Sequence, residues 1–166
     1  DAVIATLVGE HKRDNHVVIF QAADYCVKRL TRSSNEGVTV YSRRLPFPKS
    51  GSIREVLSAI VEFLLSAMAV REVLILEKIE VIHLHTLQLY QLYFAIVGKL
   101  LRIPYVITLH GSETVVYPSR HAVLRFLWRR ILRGATCVVT VSSALADLAK
   151  RNFPFLSDIR VIENGV

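Results

Sequence analysis

Pro104-Tyr105-Val106-Ile107-Thr108-Leu109-His110-Gly111-Ser112 reads as a strand that is apolar on both faces and runs out into polar residues and a glycine. Short apolar runs of this kind, set between helical stretches, belong to a parallel sheet covered on both sides. Upstream, Glu80–His85 has the same character; downstream, Thr136–Val141 and Asp158–Ile162 repeat it. Helical stretches separate them: Leu87–Leu101, Arg120–Arg133 and Ser143–Asn152. The alternation predicts a layered α/β fold in which right-handed crossovers bring every strand-to-helix loop to one edge. Ligands of such sheets bind outside the carboxyl ends of the strands.

The amino-terminal part carries the same alternation less clearly. Ala2–Lys12 reads as a helix, His16–Phe20 as a buried strand, Asp24–Arg32 as a short helix and Gly37–Ser42 as a second strand. Arg43–Ser52 is a loop, and Ser52 with Glu55 forms a capping box ahead of a helix reaching about Glu77.

Composition bounds the function. A chain of 166 residues fits one domain of about 150. With 52% hydrophobic and 21% charged residues it is not disordered. Lys and Arg number 21 against 14 Asp and Glu, and the resulting +7 favours a polyanionic or phosphorylated partner. Cys26 and Cys137 form no C-x-x-C pair, which argues against a disulfide or zinc framework and for a reducing compartment. Cys137, in an apolar run, reads as a buried thiol. The uncharged stretch Val81–Gly98 contains His83, His85, Gln88 and Gln91, and Ile53–Leu76 is broken by Glu62, Arg71 and Glu72, so neither reads as a membrane span. The opening residues show no basic n-region or cleavage site, so a signal peptide is not expected among them. The expectation is a soluble protein able to touch a membrane surface.

Four strand ends gather the polar residues. His83 and His85 share a face by period-2 alternation, with His85 and Thr86 nearer the exit. His83 reads first as a structural histidine. His110-Gly111-Ser112-Glu113 follows the next strand, where Gly111 permits close backbone approach and the amides beyond it suit an oxyanion. Ser142-Ser143 offers a helix cap, with Ser143 the expected cap residue, and Glu163-Asn164-Gly165 is a turn signal. No G-x-G-x-x-G follows a strand, and neither a P-loop nor a G-x-S-x-G elbow is present. His83 and His85 stand two apart on a strand rather than four apart on a helix, so no zincin-like metal site is supported.

Helix Arg120–Arg133 is basic and amphipathic. Arg125, Arg129 and Arg133 line one side, and Val123, Leu127 and Ile131 another. With Trp128 this face suits anionic lipid, or it is a solvated helix surface. No aromatic stacking platform accompanies the charge, so nucleic acid is not an expected partner.

Taken in order, Ile79–His85, Leu101–Ser112, Gly134–Ser142 and Val161–Val166 resemble the amino-terminal domain of glycosyltransferase family 4, and Leu7–Phe20 resembles the family's first helix and second strand. The resemblance implies a Rossmann-like parallel sheet with helices on both faces, one half of a GT-B architecture. It implies retaining transfer of a sugar from a nucleotide-sugar donor to an acceptor, with no metal ion and no cofactor. His110 would then approach the donor sugar or the forming bond. Gly111, Ser112 and Glu113 would lie close to the ligand, His85 and Thr86 would line the acceptor pocket, Ser142 would support the floor, and Asn164 and Gly165 would lead into a linker.

The same resemblance makes residues 1–166 the acceptor-side domain, without the family's first strand and glycine-rich turn and without the carboxyl-terminal nucleotide-sugar domain. The chain alone is therefore expected to be inactive. Its expected partners are a sugar, glycan or lipid-linked acceptor and the donor, with Arg125, Trp128, Arg129 and Arg133 available to an anionic membrane. The expected location is the cytoplasm, including the inner face of a membrane. Two other readings remain open: a freestanding basic α/β module docking on a membrane or partner protein, and half of a sugar-nucleotide epimerase.

Overall fold

A computed structural model describes residues 15–22, 29–46, 53–111 and 122–163. The chain falls into two compact units, Asp1–Ala69 and Val70–Val166. The expected helix Ala2–Lys12, most of Arg43–Ser52 and the cap residue Ser52 lie outside the described residues.

The first unit holds β1 (Val18–Ala22), β2 (Thr31–Asn35) and β3 (Val38–Arg43) in a sheet of order β1-β3-β2. β1 pairs with β3 in parallel, as the apolar runs imply, whereas β2 pairs with β3 antiparallel. Of the short helix expected over Asp24–Arg32, residues 24–28 lie outside the described residues, and Thr31 and Arg32 belong instead to an edge strand. The cause is the hairpin turn: Glu36 and Gly37 both have positive φ, 49° and 76°. That conformation belongs to a type I′ turn, whose twist matches paired strands. Helix α1 (Ile53–Leu76) follows and crosses from one unit into the other. Among the described residues no helix is long and apolar enough to cross a membrane.

The second unit holds β4 (Ile82–His85), β5 (Tyr105–Leu109), β6 (Cys137–Thr140) and β7 (Ile159–Val161), a four-stranded parallel sheet in the order β4-β5-β6-β7 flanked by helices. The expected α/β, Rossmann-like arrangement is what forms. Between the strands run α2 (Gln91–Leu101), α3 (Ala122–Gly134) and α4 (Ser143–Asn152). Two of the helix-to-strand connections use the same device. Lys78 and Arg102 take positive φ, and the next amides, of Ile79 and Ile103, reach back to the carbonyls of Leu74 and Gly98 at 2.9 and 2.8 Å. These left-handed helix ends turn the chain directly into β4 and β5.

Parity assigns the faces. Ile82 pairs with Tyr105 and Leu84 with Ile107, so these four share a face, and all are buried. α2 lies close on it, since a Cβ at Gly98 would come within 3.0 Å of Ile82 Cδ1. Burying side chains such as Ile107 and Leu109 contributes roughly 1.5–3 kcal/mol each. The opposite face carries His83, His85 and Thr108.

Three local expectations are corrected. α2 begins at Gln91 rather than Leu87, because Leu87 and Gln88 are irregular and Leu89–Tyr90 form a turn ahead of the helix. α4 is capped by Ser142, not Ser143: the Ser142 hydroxyl accepts the Leu145 N–H at 3.2 Å. Cys137 is half-buried rather than buried.

Candidate functional site

The carboxyl ends of the parallel strands stand side by side. His85 is in register with Thr108, and Leu109 with Thr140, so His85-Thr86, His110-Gly111 and Val141-Ser142 leave the sheet along one edge. Because Thr108 and His110 are two apart, His110 leaves on the face that carries His83 and His85. The three imidazoles accordingly gather. His83 and His85 have ring centroids 4.2 Å apart, and His85 and His110 stack at 5.7 Å with 25° between their planes.

Hydrogen bonds order this cluster. His85 Nδ1 lies 3.4 Å from His110 Nε2, so one ring donates its N–H to the other's lone pair. His83 Nε2 bonds the Thr108 hydroxyl at 2.7 Å, which fixes the second ring behind the first. His85 is held below the usual imidazole pKa, first by burial and second by the positive charge His110 would bring beside it. Near neutral pH the pair therefore offers a neutral His85 ring, able to exchange a proton or hydrogen bond with its neighbour. Among the described residues no three His, Cys, Asp or Glu side chains are arranged to hold a metal ion.

The backbone beneath the pair is constrained. Thr86 has φ of +68°, an unfavourable conformation for a β-branched residue that costs about 1–3 kcal/mol and persists only where neighbours enforce it. Its N–H donates to the Thr108 carbonyl at 2.9 Å. Gly111 has φ of +131°, a region open to glycine alone, so the turn after His110 needs glycine for conformation. Ser142 has its hydroxyl oxygen engaged as the α4 cap, and its carbonyl accepts from Thr140 Oγ1 at 3.2 Å and from the Ala146 N–H at 3.1 Å.

His85, Thr86, His110 and Gly111 are thus brought together, and Ser142 ends a strand on the same edge. Ser112, Glu113, Asn164 and Gly165 lie outside the described residues. Two participants were not singled out from the sequence. Thr108 was legible in principle, lying one period before His110. Gln91 is 3% exposed and gave only a weak signal, a polar residue at the head of an apolar helix. It donates from Nε2 to the His85 carbonyl at 2.7 Å.

On α3, Arg125, Arg129, Arg130 and Arg133 are exposed, as the helical spacing requires. Trp128 is not available to a surface: it is 6% exposed, on the helix side that also buries Ile131 and Leu132. Phe126, 61% exposed, is the outward aromatic instead. The Arg129 and Arg133 guanidiniums lie over the Phe155 ring at 5.2 and 5.0 Å from its centroid.

Over 65 residues, 39% of this chain, the sequence is 37% identical to TuaC of Bacillus subtilis (strain 168), named as a teichuronic acid biosynthesis glycosyltransferase. The matched stretch spans 17% of that relative. The profile of the Glycosyl transferase 4-like domain matches residues 3–165, nearly the whole sequence, and with the parallel sheet and its polar carboxyl edge it establishes that this chain belongs to the glycosyltransferase 4-like domain family.

Proposed function

We propose that this chain is the acceptor-binding part of a retaining glycosyltransferase that moves a sugar from a nucleotide-sugar to a sugar, glycan or lipid-linked acceptor, with His110 at the reacting centre. The observation that carries the reading is the His85–His110 pair, 3.4 Å apart at the carboxyl edge of a parallel sheet where such folds bind ligands. Family membership supports sugar transfer in general. In this reading His110 faces the donor sugar, and His85 and Thr86 line the acceptor side. Gly111 keeps the backbone near the ligand, and Ser112, Glu113, Asn164 and Gly165 are assigned as further ligand-binding residues. The chemistry asks for no metal or cofactor from this chain.

The test uses the intact protein with a panel of nucleotide-sugars and acceptors, and follows the anomeric configuration of the product by NMR. His110→Ala should lower transfer by about a hundredfold or more while leaving the unfolding midpoint close to wild type. Normal transfer by a folded His110→Ala protein, or an inverted product, would refute the assignment. Free nucleotide with an altered sugar and no conjugate would favour an epimerase instead.

A second reading concerns location. The exposed arginines of α3 with Phe126 beside them favour docking on an anionic membrane surface, which fits a lipid-linked acceptor.

A further inference from the structure

The geometry points to Gln91 as a positioning residue that sets the His85–His110 pair by clamping the main chain beneath it. Five observations meet at this side chain and the turn beneath it. Gln91 is 3% exposed at the first position of α2. Its amide N–H donates to the His85 carbonyl at 2.7 Å, and its amide oxygen accepts the Gln88 N–H at 3.3 Å. The next residue after His85 is Thr86, held at φ of +68°. On the other side of the strand, the Thr86 N–H is taken by the Thr108 carbonyl at 2.9 Å.

These bonds explain why the strained turn persists. In a strand, successive carbonyls point to opposite sides, and with the Thr86 N–H directed to β5 the His85 carbonyl points away from it. Gln91 supplies the donor on that side. The turn is thereby gripped from both sides, by β5 through Thr108 and by α2 through Gln91. Without the clamp Thr86 is free to relax toward ordinary φ, which swings the His85 ring out of line with His110. The Gln91 side chain bonds to main-chain groups, so its effect on any ligand runs through His85.

This inference rests on the reading of His110 and His85 as site residues, but its first test does not require sugar transfer. Histidine ring titrations are followed by NMR in the 166-residue chain and in Gln91→Met, which keeps side-chain length and removes the donor. Loss of alignment moves the His85 ring away from His110 and into water, so its midpoint should rise toward the ordinary value of 6.5. Transfer by the intact protein carrying Gln91→Met should fall about tenfold to a hundredfold in kcat, with donor KM little changed. If Gln91→Met does not fold, Gln91→Asn keeps the amide but draws it one methylene short of the His85 carbonyl, and the same rise is expected. A folded variant whose His85 titrates as in wild type overturns the clamp. A shifted His85 midpoint with undiminished transfer leaves the clamp standing and refutes the role of the pair in the reaction.

Discussion

The Tyr105 hydroxyl donates to the Ile131 carbonyl at 2.6 Å, pinning the start of β5 to the last turns of α3 on the sheet face opposite the histidines. Gly134 sits against the same hydroxyl, where a Cβ would collide with the Tyr105 oxygen. The contact fixes where β5 begins, and hence where its other end delivers His110.

Burial pushes the Tyr105 phenol up from 10.0 to about 12. The fold thus favours the neutral phenol. Its contribution should be complete below about pH 10 and decline as pH rises toward about 12, because the unfolded chain loses this proton first. Tyr105→Phe should lower stability at neutral pH by about 1–2 kcal/mol through the abandoned carbonyl, and should flatten this alkaline limb. Denaturant midpoints measured between about pH 8 and 11.5 check both effects. Parallel curves for the two proteins would mean another group causes the alkaline loss.

His85 gives the opposite limb. Its pKa is lowered by burial and then by His110, so the unfolded chain binds this proton more readily than the folded one. The stability contributed by a neutral His85 is present above the unfolded value of 6.5 and is lost as pH falls through the lower folded value. His85→Gln should remove that part of the acid loss. The measurement is urea midpoints from about pH 7.5 down to pH 5, and a variant as acid-sensitive as wild type would refute it.

The parity of β4 and β5 made much of this site legible. Apolar runs located the strands, and counting by two put His83 and His85 on one face; Thr108 stands one period before His110 on the neighbouring strand, a relation the sequence carries without marking Thr108 as a site residue. Register between the strands, which aligns His85 with Thr108, comes from backbone pairing and is not written locally. β2 was hidden because Thr31-Arg32-Ser33-Ser34-Asn35 contains no apolar residue and is exposed throughout. Its pairing follows from the Glu36-Gly37 turn. Trp128 turns inward because helical spacing gives a wheel but not the rotation at which tertiary packing sets it. Gln91 has no signature in the sequence because its partner is a main-chain carbonyl, which no side-chain motif announces.

Gly111→Ala isolates a conformational requirement. At φ of +131° an alanine is strained even with no neighbour within 4 Å of its Cβ. A loss of about 1–3 kcal/mol is expected, or a relaxed turn that shifts His110. In the first case thermal unfolding moves and transfer per folded molecule does not. In the second, transfer by the intact protein falls while the melting point holds. An alanine variant unchanged in both would show that the turn does not hold this conformation in solution.

Attachment to an anionic surface by α3 would depend mainly on Arg125 and Arg130, since Arg129 and Arg133 also lean on Phe155 and their removal disturbs packing. Each arginine near an anionic lipid surface contributes about 1 kcal/mol. Arg125→Gln with Arg130→Gln should then weaken sedimentation with phosphatidylglycerol vesicles by about thirtyfold at low salt. Raising ionic strength to about 0.15 M shortens the screening length to about 8 Å and should weaken the wild type as well. Phe126→Ser should remove the part of the binding that survives salt, because this ring is the outward apolar group of the helix. Wild-type protein that stays in the supernatant with anionic vesicles at low salt would eliminate the membrane reading and leave the acceptor to be sought among soluble sugars.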